Sequence, residues 1–313
     1  MTDITSIGDV NIDILTSNIA DYPPKDTQII LEDLHLTSGG CAANYAKASA
    51  VLGSKTRLIA RIGDDLFGNL VRKSLGAIDD LDLCLISGGR TAVTLAITFK
   101  DKTRSFLTFP GANSELSVKD IDYDLIEGRY LHVASFFLQG LRADTKKLLD
   151  HAHKKGMTAS FDTGFDPLGW SRADVALVRK TLKDVDIFFP NLAEAQAVTK
   201  AKNQKDIIDE LLSLGPSIVA LKLGSKGAWI ASEKEKTFIP AFRVKAIDTT
   251  GAGDVFAAGF IRAHSLGWDL KKCGLFASAA AALKTQGYGA ERYPTNQEVN
   301  AFLTVNSKFN FRI

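Results

Sequence analysis

The sequence predicts an α/β fold, a parallel sheet with helices on both faces. Alternation is the first sign of it. Beyond residue 113, short apolar runs (130–133, 158–161, 187–189, 217–221) alternate with helical patterns (142–155, 172–182, 192–200, 206–214), as strand–helix–strand units do. The second sign is that several runs end in polar clusters, and open α/β sheets collect ligands outside the carboxyl ends of their strands. The third is a pair of stretches, within 15–37 and 91–109, that are β-rich or loop-like without helical period and read as excursions from the main sheet.

Taken in order, residues 4–7 form a first strand, followed by Gly8-Asp9-Val10-Asn11-Ile12-Asp13. Asn11 and Asp13 are candidates for hydrogen bonding a polyhydroxylated ligand; an ordinary turn is the simpler alternative. Tyr22-Pro23-Pro24-Lys25-Asp26 is a loop by its prolines, and 28–36 reads as strand-like. Gly39 and Gly40 precede a helix over 41–52 made of small residues and stopped by Gly53. The two glycines let a ligand approach the backbone, and Asn44, one turn in, can point back at it. A strand follows at 57–62, then a helix to 75 opened by Gly63-Asp64-Asp65 with Asp64 or Asp65 as cap. Runs 91–99 and 105–109, joined by Lys100-Asp101-Lys102-Thr103-Arg104, read as a hairpin able to pair with the first excursion.

The composition excludes several classes. Thirty-eight basic residues face 36 acidic ones, a net charge of +2, which gives no reason to expect nucleic acid or an anionic membrane as partner. Three scattered cysteines make neither a disulfide framework nor a metal-ligand spacing. The N-terminus shows no basic-then-apolar leader, and no run reaches a membrane span, so a soluble, cytoplasmic protein is expected. The five histidines share no helix face. Neither Gly-x-Ser-x-Gly nor Gly-x-Gly-x-x-Gly nor a P-loop occurs.

The densest stretch is Asp248-Thr249-Thr250-Gly251-Ala252-Gly253-Asp254, with a helix from 254 to 266 behind it. Glycines free backbone N–H groups to turn inward, and a helix N-terminus favours negative charge. Asp254 is thus an acid beside an anion site, or else an N-cap. Other strand ends add Asp162-Thr163-Gly164-Phe165-Asp166, Asn191-x-x-Glu194 and Lys222-Leu223-Gly224-Ser225-Lys226-Gly227. Asn191 and Glu194 suit a hydrated Mg2+ or form a capping pair. Gly224 and Gly227 have the look of a phosphate-cradling turn. A short hairpin spans 228–239, and the helix 270–284 carries Ala277 to Ala282, small enough for close helix packing or for a flat ligand.

These motifs, with Gly63-x-Asp65-x-x-Gly68 in the same order, make the chain resemble the ribokinase-like carbohydrate kinases, the family also named after phosphofructokinase B. The resemblance covers nearly the whole chain. It implies one domain over 1–313: a three-layer α/β/α core with a mostly parallel sheet, plus a small β-sheet lid from about 13–37 and 88–110. It implies an ATP-dependent, Mg2+-requiring kinase that phosphorylates a hydroxyl of a small sugar (ribose, fructose or sugar-acid type), and a homodimer formed through the lid. Carried over by position, Asp254 resembles the general base, with its ionised form favoured by the helix N-terminus. Gly251, Ala252, Gly253 and Asp254 resemble the anion hole. Asn11, Asp13, Gly39, Gly40 and Asn44 match sugar-contacting positions. Asn191 and Glu194 match the motif that places Mg2+ through water, and Lys222, Gly224, Gly227 and Ala279 fall in the nucleotide region. Asp248 and Thr250 fall where many members bind a monovalent cation, usually K+, though Gln286-Gly287-Tyr288-Gly289-Ala290-Glu291 departs from the common pattern. Arg104 in the lid is either a substrate-binding arginine or a solvated loop charge. Asp162 and Asp166 are site acids or turn acids. A nucleoside kinase is the alternative, with Phe109, Phe136 and Phe137 as a wall for the base or as plain core. A catalytically silent sugar or nucleotide sensor is a further one.

Overall fold

The computed structural model describes residues 2–101, 103–138, 140–289 and 292–306. The chain opens with β1 (Ile4–Ile7), β2 (Asn11–Thr16), β3 (Leu34–Gly39), α1 (Cys41–Val51), β4 (Thr56–Ile62), α2 (Leu66–Gly76), β5 (Leu81–Ser87), β6 (Ala92–Thr98) and β7 (Arg104–Phe109). The alternating half follows: β8 (Tyr130–Val133), α3 (Thr145–Lys154), β9 (Thr158–Phe161), α4 (Arg172–Thr181), β10 (Ile187–Phe188), α5 (Leu192–Thr199), α6 (Gln204–Ser213) and β11 (Ile218–Lys222). Then come the β12 (Gly227–Ala231) and β13 (Lys236–Pro240) hairpin and α7 (Ala252–Ser265), α8 (Leu270–Lys284) and α9 (Asn296–Val305).

Nine strands form the main sheet in the order β13-β12-β11-β10-β9-β8-β1-β4-β5. It is parallel from β11 to β5 and antiparallel only at the β12 and β13 edge. From β1 the chain builds outward through β4 to β5, then returns to the other side of β1 with β8. The strand order therefore reverses between β1 and β8, and a crevice forms outside their carboxyl ends.

One face is covered by α1, α7, α8 and α9, the other by α3 to α6, and each side has its own apolar cluster. Phe260 and Phe276 are fully buried on the first side, Phe161 and Phe188 on the second. Each such ring contributes roughly 1.5–3 kcal/mol by leaving water. Helices α7 and α8 approach closely because α7 has a glycine at the crossing: a Cβ on Gly259 would lie 3.1 Å from the Ala277 Cα. Close approach is thus what the alanine run of α8 serves.

The second sheet has four strands in the order β3-β2-β6-β7, so the two excursions do pair, β2 with β6 in parallel. It rises from the same end of the main sheet, because β2 starts three residues after β1 and β3 runs through Gly40 into α1.

Three expectations change. Residues 28–33 are not a strand: β3 pairs with β2 only from Gly39 opposite Asn11 to Leu34 opposite Thr16, where β2 ends. Beyond it Ser17 still bonds the Asp33 carbonyl and the Glu32 N–H, but no ladder continues, and the segment is largely exposed, Ile30 to 90%. β5 and α9 were not foreseen, yet both carry a signal. Leu81, Leu83 and Leu85 alternate with polar or smaller residues, and Thr295 with Glu298 forms a capping box. Finally, α7 begins at Ala252 with Gly251 as N-cap in the left-handed region (φ 74°), which puts Asp254 in the first turn rather than at the cap.

Candidate active site

Gly251 ends the loop and starts α7. The Ala252 N–H is taken by the Thr249 carbonyl at 3.2 Å. The N–H groups of Gly251, Gly253 and Asp254 have no acceptor among the described residues and lie together in the region where α7 starts. The Lys222 ammonium, at the end of β11, stands beside that region, 3.4 Å from where a Cβ on Gly253 would be. The cradle therefore consists of three N–H donors, a helix N-terminus and a fixed cation, all suited to an anion.

Asp254 lies inside this cradle. Its Oδ2 accepts from Asn44 Nδ2 at 3.0 Å, and Asn44 Oδ1 accepts from the Tyr293 hydroxyl at 2.9 Å. α1 and the segment before α9 thus orient one carboxylate oxygen and leave the other open. Burial pushes the Asp254 carboxyl up to about 8, with Asp162 adding to the rise and Asn44 and Lys222 opposing it. This corrects the expectation that the helix N-terminus would favour the ionised form: desolvation and a neighbouring carboxylate outweigh the dipole.

Lys222 Nζ donates to Asp162 Oδ2 at 2.6 Å. Burial alone would lower this ammonium, but Asp162, Glu194 and Asp254 hold its pKa above the ordinary lysine value. Asp162 is thereby a site acid. Asp162 also accepts from the Gly164 N–H at 2.9 Å within its own turn, and Asp166 accepts in the same way from the Leu168 N–H at 2.8 Å.

Asn191 and Glu194 form a complete capping box at the start of α5. Glu194 Oε2 accepts from the Asn191 N–H at 2.8 Å and Oε1 from the Asn191 amide at 2.5 Å. The capping alternative is the one realised. Burial, then Asp162, pushes the Glu194 carboxyl up to about 8. Each of its oxygens holds one Asn191 donor and keeps a further lone pair. Among the described residues no three His, Cys, Asp or Glu side chains gather as a metal cluster.

Across Asn44 from the cradle, β2 and β3 hold the second set of predicted residues. Asn11 donates its amide to Asp13 Oδ1, and Asp13 packs against Gly39 so closely that a Cβ there would sit 2.0 Å from Oδ2. Gly40 is held at φ 97° against the Asp9 carbonyl. Burial pushes Asp13 up to about 7, against the pull of Lys47. Lys47, fully buried in α1, is pushed down to about 7 by the same desolvation, and donates to the Ser38 carbonyl at 2.7 Å. Asp9 accepts from the Ala42 N–H at 3.0 Å and so caps α1 from outside.

Several residues sit elsewhere than expected. Arg104 is not a solvated loop charge. It begins β7 and binds the loop before α7, with Nη1 3.0 Å from Asp248 Oδ1 and Nη2 2.7 Å from Thr249 Oγ1. Ala279 is fully buried among the residues packed between α8 and α7 and has no surface to offer a nucleotide. Gly227 is glycine because a Cβ would lie 2.0 Å from the Ile239 carbonyl across the hairpin; Gly224, with open space around it, remains near the end of β11. Ala290 and Glu291 lie outside the described residues, as does Lys102. Lys47, Lys284 and Tyr293 were not foreseen. Buried lysines look like ordinary helix-surface charges in a sequence, and Tyr293 meets Asn44 across 249 residues.

Comparison with known proteins bears on the family and the fold. The model of the pfkB family carbohydrate kinases matches residues 1–296. The chain is 32% identical over 311 residues to an ATP-dependent ribose-1-phosphate kinase of Halopiger xanaduensis, covering 97% of this chain and 99% of that one. It is 29% identical to a nucleoside kinase of Methanothermobacter thermautotrophicus, covering 92% and 91%. Arabidopsis thaliana ribokinase, solved with ribose and ATP, superimposes with a TM-score of 0.81 at 25% identity, over 97% of this chain and 99% of that one.

Proposed function

The chain belongs to the pfkB family of carbohydrate kinases, and we propose that it moves the γ-phosphoryl group of ATP to a hydroxyl of a small sugar with Asp254 as general base. The observation that carries this reading is the single acid set among free N–H donors at the start of α7, with Lys222 beside it. The substrate hydroxyl gives its proton to the open oxygen of Asp254. Its oxygen forms the new bond to the γ-phosphorus, the bond to the β-phosphate oxygen breaks, and ADP leaves. The N–H groups of Gly251, Gly253 and Asp254 and the Lys222 ammonium take up the charge on the group in transit. Asn44, locked by Tyr293, keeps the base in place. Asn11 and Asp13 hydrogen bond the sugar between β2 and β3. Asn191 and Glu194 would face the water shell of the Mg2+ that accompanies ATP, an ion that would neutralise the phosphates.

We propose further that the four-stranded sheet closes over the sugar as a lid and excludes water. Leu36, Phe106 and Leu107 leave it with exposed apolar surface, Leu107 to 59%, which supports a homodimer formed through it. Dependence on ATP and three free thiols suit a reducing cytoplasm.

A phosphorylation panel of ribose, ribose 1-phosphate, fructose, 2-keto-3-deoxygluconate and nucleosides tests the reading. Product is expected with at least one sugar, and none with any of them would overturn it. A nucleoside kinase is the second reading. Phe136 and Phe137 cannot serve it, being buried in the core; Phe109 alone, 45% exposed on β7, has a face for a base. Phe109→Ala raising KM for a nucleoside while sparing ribose would favour that reading.

A further inference from the structure

The oxygens expected to hold K+ are already holding a cation that belongs to the chain. Asp248 Oδ1 accepts from Thr250 N at 2.9 Å, from Thr250 Oγ1 at 2.7 Å and from Arg104 Nη1 at 3.0 Å. Asp248 Oδ2 accepts from Gly289 N at 2.9 Å. Thr250 Oγ1 also accepts from Arg104 Nη1, and Thr249 Oγ1 accepts from Nη2. The guanidinium takes Asp248 Oδ1 and Thr250 Oγ1, side-chain acceptors that a metal ion would use, and its charge opposes a second cation there. A second basic side chain stands behind the loop. The Lys284 ammonium is fully buried and has no hydrogen-bond partner among the described residues. Its Cε lies 3.7 Å from where a Cβ on Gly251 would be, and the charge faces the Tyr293 ring at 5.6 Å. Asp248 and Thr250 therefore do not fit a bound monovalent metal ion in this protein.

We propose that Arg104 is the resident cation of the Asp248–Gly251 loop, a positioning residue that stands in for a monovalent metal ion and makes the enzyme indifferent to K+. The guanidinium fixes three consecutive residues, Asp248, Thr249 and Thr250, immediately before the N–H donors of the cradle. It reaches them from β7, so the loop is tied to the small sheet rather than to an ion drawn from solvent. The catalytic half of this proposal rests on the kinase reading; the binding half does not.

The test uses the full-length protein at constant ionic strength in potassium, sodium or tetramethylammonium chloride. Thallium NMR, with Tl+ as the K+ probe, is expected to show no saturable binding to the wild type and a site in Arg104→Ala. Initial rates of the wild type with its sugar and ATP are expected to agree within about twofold across the three salts. Arg104→Ala is expected to lose about tenfold or more in kcat in tetramethylammonium, with a smaller change in KM for ATP, and to regain rate with guanidinium ion or K+. The proposal is overturned by saturable Tl+ binding to the wild type that K+ displaces, by tenfold K+ activation of the wild type, or by an Arg104→Ala enzyme as active as wild type in every salt. If Arg104→Ala does not fold, the wild-type binding and salt arms decide alone. If no sugar is phosphorylated, the Tl+ titration still decides while the kinase reading fails separately.

Discussion

Asp248 and Asp254 close the two ends of one glycine turn and live in opposite electrostatics. Burial works against Asp248, but the Thr250 hydroxyl and N–H, the Gly289 N–H and Arg104 hold its carboxyl below the usual carboxylate range. Asp254 receives one side-chain hydrogen bond, and burial first, with the charges of Asp162 and Asp9, pushes it up to about 8. Two acids six residues apart are thus assigned different work by their surroundings. The satisfied one fixes the loop. The unsatisfied one is left able to take a proton.

The largest test of that contrast is Asp254→Asn. Its kcat is expected to fall about a thousandfold with KM for ATP little changed, as removal of a general base requires. The same variant sharpens the contrast through stability. Folded Asp254 stays protonated up to about 8, whereas its ordinary value is 3.8. The wild type therefore loses stability as pH rises through that window, and the asparagine variant does not. Thermal melts at low and alkaline pH are expected to coincide at the acid end and to favour the variant by about 1–2 kcal/mol at the alkaline end. Equal melting at both ends would break the assignment.

Lys222→Met comes next. It leaves Asp162, Glu194 and Asp254 without their shared cation, so about a hundredfold loss in kcat/KM is expected, with the pH profile moved to higher pH. Asp248→Asn is expected to spare the base while destabilising the fold by about 1–3 kcal/mol, because Arg104 loses its carboxylate. Denaturant unfolding beside the kcat pH profile separates the two effects: an unshifted profile with reduced stability is the expected pair. The smallest effect is Asn44→Ala. The wild-type kcat/KM is expected to rise with pH with a midpoint near 8, since the base must be ionised. Without the Asn44 amide, which favours the ionised form, that midpoint is expected to move up by about half a unit. A downward move would contradict the hydrogen bond.

The fold was largely legible in the sequence because its signals are local. Alternating elements from β8 to β11, small residues in α1 and α8, and the glycines at 251 and 253 each follow from neighbours in the chain. The order of the motifs brought Asp254, Asn44, Lys222, Asn11 and Asp13 to one end of the sheet. What stayed hidden depends on partners far away in sequence. Arg104 reads as one more hairpin charge until the small sheet brings it across 144 residues to Asp248. The sign of the Asp254 shift was missed because a helix start is visible in the sequence while burial beside Asp162 is not. Glu194 had two readings from the same spacing; the capping box is realised, and a contact with a hydrated ion through water is compatible with it.

Gly40 is the sole residue between the end of β3 and the start of α1. The helix that carries Asn44 is therefore joined to the small sheet through one residue, held at φ 97°. In the lid closure proposed above, a tilt of that sheet would enter α1 at this residue, four before Asn44, the partner of the proposed base.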